Sequence, residues 1–470
     1  MRTDPILRHT KQLLDQRLPV LAQNLGSRHE DLSPSSFRGF LSGLKEVLDE
    51  IGRHVFVQLL EQLDDHDSMS LREGDRVFHF KETYDKKWFT PFGRVVVGRR
   101  YYQQGKGDRG RFPLDEHIGM KSRYFTPDVE EQVAFGAALM PAHEVRQLVA
   151  KILPESPSVK AIQRVIEDVG DFAEEQEEVV EAAIRQHAPL SKDGDVLVAS
   201  IDGTHAPLRN SEFPDKTTPS ADDDDDKKKK PVRWKEVGVA TVSIYQPTDA
   251  DHEVPTRVDH RILGRMPEPR MKRLFDRQTQ LLMDLTAERT FRDVVFLCDG
   301  SRTIWRRAEE DPFLSTATQI LDFFHAAEHL AKARDAVFGD KNLPGQRWFN
   351  KYREILQTDT FGLAKVIRSL RYYRTQLRNG SKRRKIVGRV IAHFTRNRER
   401  MRYFDFLCRG LPIGSGPVEA ACKTLVGARL KRSGMRWTQP GGQRILHLRA
   451  HYLSNRWDTF WSAYEMRHTG

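Results

Sequence analysis

Two short apolar segments of the chain each end in an aspartate followed by a glycine. The first covers residues 196–201 and ends at Asp202, and the second covers residues 294–298 and ends at Asp299. Short apolar runs rich in β-branched residues predict buried strands. If the two strands are neighbours, both carboxylates reach one edge of a sheet, and carboxylate oxygens are the ligands that Mg²⁺ prefers. We therefore expect a metal site at this edge.

A third carboxylate, Glu419, follows a turn rich in glycine and proline. Gly416 and Pro417 predict the N-cap and the first position of a helix, with Glu419 in its first turn. A glutamate at this place can also be a capping partner that suits the helix dipole. However, residues 421–449 contain basic side chains and no acidic one. A single carboxylate at the head of a basic helix suits a metal site that binds a phosphodiester.

The elements between these residues predict how the acids are positioned. Residues 234–245 and 259–263 have the pattern of strands, residues 268–289 that of an amphipathic helix, and residues 318–322 that of a fifth strand. The order β-β-β-α-β places the first strand beside the fourth, which is the ribonuclease H-like arrangement. The predicted fold is therefore a multidomain α+β or α/β protein with a mixed five-stranded sheet.

The remaining chain predicts domains that flank this core. We expect an N-terminal helical region at 1–75, a small β-rich module at 76–125 and a helical, helix-turn-helix-like region at 126–190. The core would comprise residues 191–335 and 409–470, separated by an all-α insertion at 336–408. Within the core, residues 211–231 include five aspartates followed by four lysines. Such charge blocks predict a disordered loop.

Several basic residues outside the core are candidates for contacts with nucleic acid. Arg99 and Arg100 lie beside two tyrosines in the β-rich module, a combination that suits phosphates and stacked bases. Lys160 and Arg164 lie on a helix that a tight turn precedes, as in a helix-turn-helix reader. Each feature has a simpler alternative, namely a hairpin with a solvated basic face and three helices that only pack together.

Composition agrees with a nucleic-acid partner. The net charge is +11, the isoelectric point is about 9.4 and the mean hydropathy is −0.62. A basic surface favours polyanions. The three cysteines form no Cys-x-x-Cys pair, which predicts a reducing compartment and no zinc knuckle. No apolar run is long enough for a membrane span, so we expect a cytoplasmic protein without a membrane or small-molecule partner.

Four motifs together resemble those of bacterial insertion-sequence transposases of the Kra group. The C-terminal signature is similar over residues 413–419 and 429–437, and residues 200–204 and 298–301 resemble the two aspartate motifs. Residues 322–325, Asp-Phe-Phe-His, are similar to the [Cys/Asp]-x-x-His element of related transposases. The resemblance covers about residues 90–460.

The resemblance implies DDE chemistry on double-stranded DNA in a bacterial, nucleoid-associated protein. Asp202, Asp299 and Glu419 would be the ligands of two Mg²⁺ ions, with Mn²⁺ as a substitute, and His325 would be a further catalytic residue. A core histidine is the alternative for His325. The partners would be the terminal inverted repeats, the target DNA and further copies of the chain. Side chains expected to contact DNA near the site are Lys423, Arg429, Lys431, Arg432, Arg436 and Trp437, although Trp437 also suits a core position.

Two other functions remain open at this stage. A structure-selective nuclease would use the same metal site and cut DNA without joining it. A non-catalytic DNA-binding protein on the same scaffold would bind DNA, but its three acidic side chains would not lie close together. Strand joining separates a transposase from both alternatives.

Overall fold

The computed structural model of the protein describes residues 4–24, 33–64, 68–108, 110–120, 123–209, 211, 233–246, 255–340 and 342–467. The predicted disordered loop 211–231 lies outside the described residues except for Ser211. The chain divides into two compact units. Unit 1 comprises Met1–Ala183 and Asp458–Gly470, and unit 2 comprises Ile184–Trp457.

Unit 1 begins with two helices and a small antiparallel sheet. Helix α1 spans Asp4–Asn24, and α2 spans Pro34–Leu63, where Ser33 and Ser36 form a capping box. The strands pair in the order β1-β2-β3, with bounds β1 Ser70–Glu73, β2 Arg76–Thr90 and β3 Gly93–Gln103. Alternation along β3 buries Val95 and Val97 on one face. This sheet lies where the sequence predicts a small β-rich module.

Helices form the rest of unit 1. Their bounds are α3 Pro113–His117, α4 Pro127–Leu139, α5 Ala142–Ile152, α6 Val159–Glu175 and α7 Glu177–His187. Ser158 caps α6, since its hydroxyl accepts a hydrogen bond from the Ala161 amide. Helix α6 does not extend to His187. It ends at Glu175, and α7 begins after Gln176.

Unit 2 is built on a mixed five-stranded sheet. The strands are β4 Val196–Leu208, β5 Arg233–Gln246, β6 Thr256–Arg265, β7 Asp293–Cys298 and β8 Thr318–Leu321. They lie in the order β6-β5-β4-β7-β8. β5 is antiparallel to β4 and to β6, whereas β7 is parallel to β4 and to β8. The predicted pairing of the first strand with the fourth is confirmed.

Helices cover the sheet and fill the segment after β8. The apolar core that includes Leu274, Phe275 and Leu330 contacts side chains of β4, β5 and β7. Two of these residues belong to α8, Lys272–Glu288, and a 3₁₀ turn at Pro269–Met271 precedes that helix. The next helices are α9 Arg302–Glu310, α10 Phe323–Phe338, α11 Leu343–Thr358, α12 Gly362–Gln376, α13 Lys382–Arg396 and α14 Tyr403–Cys408. The segment predicted as an all-α insertion thus contains only helices and turns among its described residues.

The last part of unit 2 contains an irregular helix. α15 spans Gly416–Ala421, a π-helical turn covers Cys422–Gly427, and α16 spans Ala428–Leu430. α17 spans Gln439–Leu453. The last helix, α18, spans Trp457–Met466 and belongs to unit 1 from Asp458 onward. The expected cap was wrong by one residue, because Ser415 is the N-cap of α15 and Gly416 is already helical. Among the described residues, no helix combines the length and apolar character that crossing a membrane requires.

Candidate active site

The parallel pairing of β4 and β7 brings two aspartates to the same sheet edge. Val196 pairs with Asp293, and the register continues to Ala199 opposite Phe296. The same offset would place Asp202 level with Asp299, three residues beyond the last pair. The Ile201 amide, one residue before, donates a hydrogen bond to the Cys298 sulfur at 3.3 Å. Asp299 directly follows β7, whereas Asp202 lies within β4, which continues to Leu208 and not, as the sequence predicts, only to Asp202. The two acids are therefore level with each other at the point where β7 ends.

The Asp202 carboxylate is partly buried and is held by two donors. Its Oδ1 accepts a hydrogen bond from the Gly203 amide at 2.7 Å, and its Oδ2 accepts one from the Cys422 thiol at 3.6 Å. Burial raises the pKa of Asp202, and the negative charges of Asp299 and Asp322 raise it further. A carboxylate in this situation is stabilised by a cation.

Asp299 is fixed by the first turn of the following helix. Its Oδ1 accepts a hydrogen bond from the Ser301 amide at 2.9 Å, and its carbonyl oxygen accepts one from Trp305 Nε1 at 2.6 Å. Within the described ranges, neither Asp299 nor Asp202 forms an ion pair with a basic side chain. Two neighbouring carboxylates without a basic partner form an unbalanced negative charge at the sheet edge.

A further aspartate, Asp322, connects this edge to the loop before α15. It follows β8, and its side chain is only 1% exposed. Its Oδ1 accepts the His325 amide and its Oδ2 accepts the Ser415 amide, each at 2.6 Å. Asp322 therefore caps α10 and also anchors the residue that begins α15.

Glu419 lies in the first turn of α15 with an exposed side chain. The Ser415 hydroxyl donates to its Oε1 at 3.4 Å. A capping box would require the Ser415 amide to donate to the glutamate, but this amide donates to Asp322. The capping alternative therefore does not describe Glu419. Three residues further, Cys422 begins the π-helical turn and donates to Asp202, so α15 lies beside the end of β4.

The acidic ligand atoms do not form one tight group. Among the described residues, only His325, His329 and His393 form a group of three or more possible metal ligands (His, Cys, Asp or Glu) whose ligand atoms all lie within 4.8 Å of one another. Carboxylate oxygens at the sheet edge fit Mg²⁺ by their chemistry.

The basic residues near α15 divide into exposed and buried side chains. Lys423, Arg432 and Arg436 are exposed. Lys431 Nζ donates to the Thr204 hydroxyl at 2.5 Å, two residues after Asp202 in β4. These four side chains could reach a phosphate backbone without disrupting the fold.

Arg429 and Trp437 are packed inside unit 2. Arg429 is only 2% exposed, and its guanidinium lies 5.3 Å from the centre of the Trp437 ring. The Trp437 indole donates to the Leu430 carbonyl at 3.0 Å, and its backbone bridges to Leu208 of β4. The expectation that Arg429 contacts DNA is corrected, because a buried guanidinium cannot reach a phosphate. For Trp437 these contacts favour the core alternative.

The candidates of unit 1 also differ in exposure. Arg99 is 6% exposed and donates to Asp115 at 2.6 Å. It is a buried ion pair, so its expected DNA contact is corrected as well. Arg100 is half-buried, and its Nε donates to the Tyr102 hydroxyl at 3.0 Å. Lys160 and Arg164 are exposed along α6.

His325 lies in a cluster of three histidines beside the Asp299 segment. A Cβ placed on Gly300 would lie 2.7 Å from His325 Nε2, so this ring packs directly on the residue after Asp299. The ring centres of His325 and His329 are 4.8 Å apart, and the His329 and His393 rings stack at 4.2 Å. Burial, together with repulsion between the rings, lowers the pKa of both His329 and His393 to about 4.

Sequence reasoning overlooked three residues of this region. Asp322 was recognised within a motif but not as the anchor of Ser415. His329 follows His325 by four residues, so it lies on the same helical face, and this signal was present in the sequence. His393 has no such signal, because it is 64 residues away from His329 in the chain and belongs to another helix.

Comparisons with known proteins give limited matches. Residues 35–216 match a family described as "Uncharacterised protein family (UPF0236)". This is less than half of the chain; it includes Asp202 and ends before Asp299. A solved structure described as "Drosophila P element transposase strand transfer complex" aligns with 72% of this chain and 81% of that chain, at 11% identity and a TM-score of 0.26. A TM-score of this size does not establish a shared fold. A comparison with curated proteins finds no match.

Proposed function

We propose that the protein is a DDE transposase that cleaves DNA strands and transfers them to a target. The observation that carries this proposal is the parallel pairing of β4 with β7. This pairing supports the assignment of Asp202 and Asp299 as two neighbouring carboxylates. The described part of the chain provides no basic partner for either of them. Glu419, freed from a capping role, would be the third acid. The motifs that resemble Kra-group transposases agree with this set.

Asp202, Asp299 and Glu419 would hold two Mg²⁺ ions, for which Mn²⁺ is a substitute. When bound, such ions lower the pKa of an attacking oxygen and stabilise the charge on the leaving oxygen. The protein's part is to position the carboxylates. The Gly203 and Ser301 amides orient the two aspartates, and Asp322 holds the start of the glutamate helix.

The proposed reaction consists of two phosphoryl transfers. Water attacks a phosphodiester at the end of the element, and the leaving group is the 3′-hydroxyl of that end. This hydroxyl then attacks a phosphodiester of the target DNA, and a new 3′-hydroxyl leaves. One phosphodiester bond breaks for each bond that forms in the second step, so strand transfer needs no external energy. His325, beside Gly300, is proposed as a catalytic residue that positions the scissile phosphate.

DNA would be held by basic side chains that are exposed or, for Arg100 and Lys431, half-buried. Neutralised phosphates contribute most of the affinity of such surfaces, and this contribution depends on salt. The residues proposed for it are Lys423, Lys431, Arg432, Arg436, Arg100, Lys160 and Arg164. Double-stranded element ends and target DNA are the proposed partners. Assembly of further copies on paired ends, in the bacterial cytoplasm with the nucleoid, belongs to the same proposal.

The test uses a plasmid that carries the element's own ends, incubated with the full-length protein and Mg²⁺. We expect nicked, linear and joined products from the wild type. Asp202→Asn, Asp299→Asn and Glu419→Gln should each lose cleavage by at least about 100-fold, since each removes one anionic ligand. DNA binding by these variants, measured by fluorescence anisotropy, should remain within a few-fold of wild type.

Glu288→Gln is the matched control, because Glu288 is an exposed acid at the end of α8. This variant should cleave and join at the wild-type rate. Cleavage by Asp202→Asn and Asp299→Asn at the control rate would refute the proposal. Cutting that never proceeds to joining would instead indicate a structure-selective nuclease, and DNA binding without either reaction would indicate a non-catalytic protein.

A further inference from the structure

Three histidines of unit 2 come together from two helices that are distant in the chain. His325 and His329 lie one turn apart on α10, and His393 lies on α13. One ring nitrogen of each residue lies within 4.8 Å of a ring nitrogen of each of the others. The helices themselves are packed together, since Ala326, Leu330 and Val390 belong to one apolar core.

The donor atoms of this cluster are not used for other contacts. The Nε2 atom of His393 is buried and has no hydrogen-bond partner. A buried polar atom without a partner destabilises the fold, and an ordered water or a bound ion is one explanation for such an atom. The Nδ1 atom on the other side of the same ring lies 3.5 Å from the Asn397 side-chain amide.

We propose that His325, His329 and His393 bind one divalent transition-metal ion of the zinc class, in which case the His325 ring is a metal ligand and does not itself contact the scissile phosphate. Zinc binds imidazole nitrogens at about 2.0–2.1 Å in tetrahedral geometry, so two nitrogens on one ion are about 3.3–3.4 Å apart. Rotation of the rings by less than an ångström at the nitrogens would bring all three within reach. The fourth ligand would be water, as in sites with three protein ligands.

The ligand type separates this site from the carboxylate edge. Imidazole nitrogen suits zinc, nickel and copper, whereas Mg²⁺ prefers oxygen. The lowered pKa of His329 and His393 agrees with neutral rings, which are the form that binds a metal. Nearby positive charges oppose the binding of a cation, because Lys332 of α10 and Arg396 of α13 lie close enough to the rings to lower the pKa of these histidines. We therefore expect an affinity below that of a closed cysteine site.

An ion could enter through a cavity next to His329. The cavity has a volume of about 630 Å³ and lies between α10 and α13. Its polar lining consists of His329, Lys332, Asp335, Arg383 and Arg389. The bound ion would link α10, which follows β8, to α13 of the helical segment. Its consequence would be a more stable packing of these two helices.

The test measures metal binding to untagged full-length protein, after treatment with a chelator, by titration with Co²⁺ and by calorimetry with Zn²⁺. We expect one ion per chain, a Co²⁺ absorption spectrum typical of nitrogen ligands, and an increase in melting temperature on addition of Zn²⁺. Millimolar Mg²⁺ should not displace the ion. His329→Gln and His393→Gln should each weaken binding by roughly 100-fold or more, since even outer-shell changes weaken it by about 10–100-fold.

His187→Gln is the control, because His187 is an exposed histidine at the end of α7, and it should bind like the wild type. Asp202→Asn should also bind like the wild type, which keeps this test independent of the proposed catalytic function. The proposal is overturned if the wild type binds neither Co²⁺ nor Zn²⁺. It is also overturned if His329→Gln and His393→Gln bind as tightly as the control. The wild-type result decides the matter even if a variant does not fold.

Discussion

Replacement of Asp322 with alanine is expected to destabilise unit 2 more than the loss of an ordinary helix cap. The side chain is 1% exposed, and its two oxygens accept the amides of His325 and Ser415, each at 2.6 Å. Alanine would leave both amides unpaired. One of them belongs to the start of α10 and the other to the N-cap of α15.

The magnitude follows from the two hydrogen bonds. Loss of an N-cap side chain costs about 0.5–2 kcal/mol. A hydrogen bond to a charged acceptor contributes about 1.5–3 kcal/mol. Removal of the charge also relieves its repulsion of Asp202, which offsets part of the loss. We expect a net decrease of roughly 2–4 kcal/mol in the free energy of unfolding, and a melting temperature lower by roughly 5–10 °C.

The assay compares thermal unfolding of Asp322→Ala with that of Ser381→Ala. Ser381 caps α13, and its hydroxyl accepts one hydrogen bond, from the Arg384 amide at 3.2 Å. This control should lose about 1 kcal/mol. Amide hydrogen exchange provides a local measurement, since the Ser415 amide should lose protection in Asp322→Ala and keep it in Ser381→Ala. Equal melting temperatures for the two variants, with Ser415 still protected, would refute the reasoning.

Two further predictions concern buried charges. Burial and the charge of Asp299 raise the pKa of Asp202, so folding favours its protonated form. The resulting loss of stability grows as pH rises from the ordinary aspartate pKa to the raised one, and it is fully present above the raised pKa. Asp202→Asn should therefore melt higher than the wild type at pH 7 but not at about pH 3; an equal or lower melting temperature at pH 7 would contradict this. In unit 1, Asp115 accepts Arg99 at 2.6 Å and Lys86 at 3.0 Å. Asp115→Ala should lower the free energy of unfolding, measured in guanidinium chloride, by about 3–5 kcal/mol, because it leaves the buried guanidinium of Arg99 unpaired. A loss under about 1 kcal/mol would contradict this and show that water replaces the carboxylate.

Local features of the fold were predictable because neighbouring residues determine them. The apolar runs ending at Asp202 and Asp299 specified β4 and β7, and the order of elements specified their pairing, which the structure confirms. The cap of α15 was wrong by one residue because the Ser415 amide is held by Asp322, which is 93 positions away.

The candidate site was predictable in its residue types but not in its surroundings. The two aspartates follow from the short apolar runs that precede them, which predict buried strands, although β4 continues beyond Asp202 to Leu208. The exposure of basic residues does not follow from patterning, since Arg429 and Lys423 belong to one basic stretch but only Arg429 is buried. Burial of a charged side chain depends on which distant surface covers it, in this case Trp437.

The sequence by itself determined the strands, most of the helices and the acids at the strand ends, because periodicity and turn residues act within a few positions of the chain. Only the tertiary structure decided that Asp322 joins two helix starts, that Arg99 and Arg429 are buried, and that His393 meets His325 and His329. These outcomes depend on contacts between segments tens of residues apart, and such contacts form only when whole elements pack.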